Sequence, residues 1–237
     1  MSSSASARKQ LVALAERGFE GPWPHARGDF TGDARPASVL VLFGVLDDLA
    51  ADRAEPDLAA GRAEPDLAVP ADLDVLLLAR AATLRSHAGQ VAFPGGRAED
   101  GEDAVAAALR EAEEETGLDP AGVEVLGAFG ELPMPVSNHV VTPVLGWWAR
   151  PTPVRVVDVA ESAHVFRAPV ADLLDPGNRF TTVLRRGRQT WRGPGFHVHD
   201  GDLTHLVWGF TAGILDALFD QLGWTEDWDR TRELGIS

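Results

Sequence analysis

The chain has 237 residues, 24% charged and 45% apolar, enough for one large domain or two small ones with a real core. A formal net charge of −15 argues against nucleic-acid and membrane-surface partners, because the phosphate-driven attraction becomes repulsion. There is no cysteine, which excludes disulfides, thiolate metal sites and cysteine nucleophiles and fits a cytoplasmic location.

Residues 1–18 are rich in Ser and Ala and lack the apolar centre of a secretory signal. A short helix fits residues 10–17, so 1–34 reads as an N-terminal extension. Residues 37–45 form an apolar run typical of a buried strand, far short of a membrane span. Then come two near-copies of nine residues, RAEPDLAAG and RAEPDLAVP, over 53–70. Two copies are too few for a solenoid, and the Glu-Pro steps oppose a continuous helix. Residues 51–70 therefore read as an insertion loop.

A second strand is expected over 73–79, and residues 90–93 lead into a turn at Pro94-Gly95-Gly96. Residues 102–116 have a helical pattern, closed by Gly117. Strands follow at 123–128, 140–148, 162–168 and 179–184. A final helix spans 203–222, with Leu206, Phe210, Ile214, Leu218 and Leu222 at helical spacing. Residues 223–237 remain as a tail. Strands mixed irregularly with a few helices indicate an α+β fold.

The 102–116 helix carries the chemistry. Val105, Ala108, Leu109, Ala112 and Thr116 fall on its apolar stripe. Glu111 and Glu115 stack four apart, flanked by Glu114. Like charges at that spacing, in the C-terminal half of a helix, oppose both each other and the dipole. A hard cation such as Mg²⁺ or Mn²⁺ would reverse both penalties. Taken alone, the cluster also fits a plain solvated acidic face.

The stretch GRAEDGEDAVAAALREAEEETGL, residues 96–118, adds a pattern: Gly96, Glu102, Arg110, Glu111, Glu114, Glu115 and Gly117, then Leu118. It resembles the Nudix box, G-x5-E-x7-R-E-U-x-E-E-x-G-U, where U is bulky and apolar. All seven invariant positions match, and the one departure is the small Ala112 at the first U. The resemblance implies a single-domain Nudix-type α/β/α sandwich with a mixed β-sheet over residues 35–222. It also implies hydrolysis of a nucleoside diphosphate linked to another moiety. Glu111, Glu114 and Glu115, with the carbonyl of Gly95, would hold the Mg²⁺ or Mn²⁺. Glu114, Glu115 and Arg110 would be the catalytic residues, with Arg110 holding a carboxylate of its own helix in position. Glu102 would be either an outer metal ligand or a first-turn charge favourable to the helix. The box leaves the general base open among Glu114, Glu115, Asp158 and Glu161.

Upstream, LLLARAATLRSHAGQVAFPGG (76–96) is similar to the signature of the coenzyme A pyrophosphatase branch of that family, L-L-T-x-R-[SA]-x3-R-x3-G-x3-F-P-G-G. Arg80, Ala81, Arg85, Gly89 and Phe93 to Gly96 are in register, and Leu78 replaces the threonine. This implies a small nucleotide substrate, coenzyme A or an acyl derivative. Arg80, Arg85 and Arg97 would bind its phosphates by forked hydrogen bonds, or Arg80 and Arg85 would instead pair with carboxylates of the box helix. Phe93 reads as core. Two rivals stand beside this reading: a Nudix enzyme for another nucleotide, and a catalytically silent binding module. The resemblance leaves a homodimer open. The histidines, His197-x-His199 included, show no convincing metal spacing, and Ser86-His87 lacks an Asp partner.

Overall fold

A computed structural model describes residues 3–19, 33–45, 69, 72–81, 89–135, 137–187 and 189–236. The tandem repeat, apart from Val69, lies outside the described residues, as do Arg85 and Ser86-His87. The elements are α1 (Ser3–Arg17), β1 (Arg35–Val45), β2 (Leu73–Arg80), β3 (Val91–Ala92), β4 (Gly95–Arg97) and α2 (Ala104–Thr116). Next come β5 (Val123–Ala128), β6 (Leu132–Met134), β7 (His139–Trp148), β8 (Ser162–Pro169) and α3 (Val170–Leu174). The chain continues with β9 (Arg179–Arg186), β10 (Gln189–Asp200), β11 (Leu203–Trp208), α4 (Gly209–Leu222) and β12 (Glu233–Ile236).

The main sheet is mixed. Its path is β3-β2-β1-β7-β5, with β4 paired to β1, β6 to β7 and β8 to β2. β1 and β7 run parallel, while β1 and β2 are antiparallel. The apolar run of β1 is buried on both faces, which is why it lacks alternation. Leu40 and Leu42 face α2 and pack with Leu76, Ala108, Ala112 and Trp148. Val41 and Phe43 face the other way, into the larger core with Leu11, Leu14, Val75, Leu77, Phe196 and Phe219. One helix thus covers one face, and α1, α3 and α4 contribute to the other. A four-stranded sheet, β11-β10-β9-β12, is added on that second side.

The box helix is set by its ends. Asp103 caps the N-terminus, its Oδ1 accepting from Ala106 N at 2.8 Å. Gly117, at φ 68°, closes the C-terminus in the left-handed region and donates to Glu113 O. Asp103→Ala should lower stability by about 1 kcal/mol; an unchanged urea midpoint would contradict this capping role.

Several boundaries differ from the sequence reading. Residues 203–208 are strand β11, not helix: they pair with β10, and Gly209 at φ 66° breaks the run before α4. Gly95–Arg97 is a strand on β1 rather than only a turn. The helix read over 10–17 begins at Ser3. The tail adds β12, parallel to β9, and buries Trp224, whose Nε1 donates to Gln10 Oε1 at 2.8 Å. Among the described residues no helix is long and apolar enough to cross a membrane.

Candidate active site

Three backbone features bring β4 against α2. Leu40 N donates to Pro94 O at 2.8 Å, which locks the turn onto β1. Gly95 pairs with Val39 and Gly96 with Ser38. A Cβ on Gly96 would lie 2.5 Å from both carboxylate oxygens of Glu111, so glycine is needed for the backbone to lie on that carboxylate.

Arg110 organises the cluster. Its Nε and Nη2 donate to Glu102 Oε1 and Oε2, both at 3.0 Å, as a fork. Its Nη1 donates to Glu111 Oε1 at 3.1 Å and Glu114 Oε2 at 3.0 Å. Nη2 also reaches Arg97 O at 2.9 Å, tying α2 to β4. The hydrogen bonds from Arg110 hold the Glu102 carboxyl below its usual range.

The three glutamates of the cluster differ in environment. Glu114 is exposed, Glu111 is half-buried and Glu115 is buried at 7% exposure. Glu115 Oε2 accepts from Gly95 N at 3.0 Å. Burial pushes the Glu115 carboxyl up to about 7, against the pull of the Gly95 N–H; Glu111 and Glu161 push it further and Arg80 pulls it down. Burial also raises Glu111, opposed by Arg110 and aided by Glu114 and Glu161. Two buried or half-buried acids with elevated affinity for a proton are equally primed for a cation, which relieves the same repulsion. Their oxygen-only donor set suits a hard divalent ion.

Beside them opens a cleft of about 490 Å³ lined by Arg97, Ala98, Glu99, Asp100, Arg110 and Glu111. Arg80 ends β2 at a bulge, with its Nε buried and without a hydrogen-bond partner, close enough to act on Glu115. Arg80, Arg97, Arg110, Gly95, Glu111, Glu114 and Glu115 thus gather around one edge of β4. Of the later acids, Glu161 faces the cluster, acting on both Glu111 and Glu115. Asp158 instead closes its own turn, accepting from Ala160 N at 2.8 Å. Phe93 is core, at 3% exposure. Glu99 and Asp100 escaped the sequence reading, since both occupy variable positions of the box.

The histidines are scattered. The His197 ring centroid lies 4.7 Å from that of Phe180, and His199 Nδ1 is 3.4 Å from Asp172 Oδ2. His164, Asp200 and His205 do come together, with ligand atoms all within 4.8 Å. No sequence spacing joins those three: the β10–β11 pairing brings Asp200 and His205 near each other, and packing of the two sheets brings in His164.

Residues 67–179 match the NUDIX domain. The chain is 40% identical over 151 residues to an uncharacterized Nudix hydrolase, NudL, of Cronobacter sakazakii, covering 63% of this chain and 75% of that one. Against NudL of Escherichia coli K12 it is 40% identical over 153 residues, with the same coverage. Among solved structures, a MutT/nudix family protein from Enterococcus faecalis is similar at a TM-score of 0.46 and 17% identity, over 92% of this chain and 74% of that one. A NUDIX hydrolase from Nitrosomonas europaea is similar at 0.46 and 11%, over 90% and 85%.

Proposed function

Since the chain belongs to the Nudix family of hydrolases, we propose that it cleaves the pyrophosphate of coenzyme A or an acyl-coenzyme A. The products are adenosine 3′,5′-bisphosphate and 4′-phosphopantetheine, or its acyl form. The observation that carries this reading is the convergence of the 76–96 run on one acid. Arg80 and Gly95, both from that run, meet Glu115 of the box helix. The two adjoining motifs, which share Gly96, would thereby form one site, over a catalytic unit we place at residues 35–222.

Glu111, Glu114 and Glu115, with the Gly95 carbonyl, would hold Mg²⁺ or Mn²⁺. When bound, such an ion neutralises the phosphates and lowers the pKa of a water. Arg110 keeps Glu111 and Glu114 oriented by shared hydrogen bonds rather than touching substrate. Arg80, Arg97 and Arg85 bind the substrate phosphates, supplying the positive charge that an acidic protein otherwise lacks. A carboxylate would take the proton of the attacking water, with Glu114, Glu115 and Glu161 as the candidates whose charges act within the cluster. A cytoplasmic setting belongs to the same proposal.

The test is mass spectrometry of products in H₂¹⁸O with Mg²⁺ or Mn²⁺. The panel holds coenzyme A, acetyl-coenzyme A, ADP-ribose, NADH and a nucleoside triphosphate. Adenosine 3′,5′-bisphosphate should be released from coenzyme A well above the rates of the others. Faster cleavage of another member would keep the hydrolase and overturn the substrate. No cleavage of any member would favour a binding module.

A further inference from the structure

His164, Asp200 and His205 lie on the face of the main sheet opposite α2. On β8, Val165 packs against the core beneath α2, while the adjacent Phe166 joins the core on the other side. His164 shares the Phe166 side, two residues along the strand. Asp200 ends β10 and His205 sits on β11, so the three side chains bridge the main sheet and the second one.

The arrangement is tight. His164 Nε2 is 2.7 Å from Asp200 Oδ2. The His205 ring stacks on Phe166 at 4.1 Å and 12°, and on His164 at 5.4 Å and 15°. Its Nε2 is buried and has no hydrogen-bond partner. An orphaned buried polar atom destabilises a fold unless something answers it. The same residue offers a ring nitrogen within 4.8 Å of a ligand atom from each of His164 and Asp200.

We propose that His164, Asp200 and His205 bind a divalent transition ion of the Zn²⁺ class, which clamps β8 of the main sheet to the β10–β11 hairpin of the second. Two imidazoles and one carboxylate form a mixed nitrogen and oxygen set that suits Zn²⁺, with water in a fourth position. Mg²⁺ prefers oxygen donors throughout, so this site and the glutamate cluster differ in the ion they select. Bonds of roughly 2.0–2.2 Å place tetrahedral ligand atoms about 3.3–3.6 Å apart, which small side-chain shifts reach from the observed spacing. The ion replaces the proton shared by His164 and Asp200. The site is independent of the proposed hydrolysis and of its substrate.

The experiment uses the full chain without an affinity tag, freed of metal, titrated with Zn²⁺ by calorimetry and with Co²⁺ by visible absorption. Wild type should show one site with the absorption of low-coordinate Co²⁺, distinct from the weak absorption of any six-coordinate ion on the glutamate cluster, and Zn²⁺ should raise its melting temperature. Glu115→Gln should retain that binding. His164→Gln and Asp200→Asn approximate the native volumes and should each weaken Zn²⁺ roughly tenfold or more. His205→Ala should abolish binding; if its stack proves essential for folding, the other two variants decide. Unchanged Zn²⁺ affinity in His164→Gln and Asp200→Asn would overturn the site, as would loss of binding in Glu115→Gln alone.

Discussion

Glu115→Gln should lower turnover roughly 10²–10⁴-fold, the range associated with a positioned acid or base, while making the metal-free protein more stable above pH 7. The two effects share one cause. Glu115 is buried, so folding raises its pKa from 4.5 to about 7. The native state therefore binds this proton more tightly than the unfolded chain does. That contribution to stability is fully present below pH 4.5 and is lost as pH rises through about 7. The loss is on the order of 3 kcal/mol, from a shift of a few pH units at 1.36 kcal/mol each. Glutamine cannot ionise, yet its carbonyl still accepts the Gly95 N–H. Melting curves of wild type and variant should diverge between pH 4.5 and 7. Saturating Mg²⁺ should narrow the gap by compensating the wild-type charge. Wild-type turnover in the variant would remove Glu115 from the catalytic set, and parallel pH curves would refute its burial as a destabilising acid.

The adjacent glycines should fail in different ways. A Cβ on Gly95 would lie 2.7 Å from the Cα of Val39 and closer still to the Ser38 carbonyl. Both obstacles are backbone of the central strand β1 and cannot move without breaking the β1–β4 pairing. Gly95→Ala should therefore cost about 3 kcal/mol or more, among the larger single-residue effects. The Cβ of Gly96→Ala would instead meet the end of the Glu111 side chain, which can swing aside. That variant should fold with a near-native melting temperature and lose most of its activity, because Glu111 leaves its place over β4. Equal melting temperatures for the two variants, read by calorimetry, would contradict this assignment of obstacles.

The box helix was legible because two independent signals coincide there, apolar spacing and a Gly just past the end, while its N-cap, Asp103, was seen only in the fold. The buried strands β1 and β2 were legible as unbroken apolar runs. β10 was not, because Gly193-Pro194-Gly195 looks like a break. In the fold, Gly195 is where the Phe180 ring crosses the strand, since a Cβ there would lie 2.6 Å from it. β11 was absorbed into the last helix because Leu206 and Phe210 happen to continue the helical spacing of α4, and only the backbone at Gly209 separates them. Within the site, local spacing gave Glu111, Glu114 and Glu115, and the resemblance to the Nudix box added Arg110. It could not choose between Asp158 and Glu161, which depends on how the segment before β8 packs across β2; there Ala81 N donates to Glu161 O at 2.8 Å. His164, Asp200 and His205 had no sequence signature, since two sheets must form before they meet.

The bond between Trp224 and Gln10 bears on the order in which the molecule can be completed. α1 precedes every other described element in the chain, yet Leu11 and Leu14 belong to a core that also contains Phe219 and Trp224. Arg17 likewise donates to the carbonyl of Gln221. The first helix meets β5 through Arg8 and Glu124, but its docking is complete only once α4 and Trp224 are in place. Closing a contact between residues 10 and 224 is also a long loop closure, so this part of the core favours late, cooperative consolidation over stepwise assembly from the N-terminus.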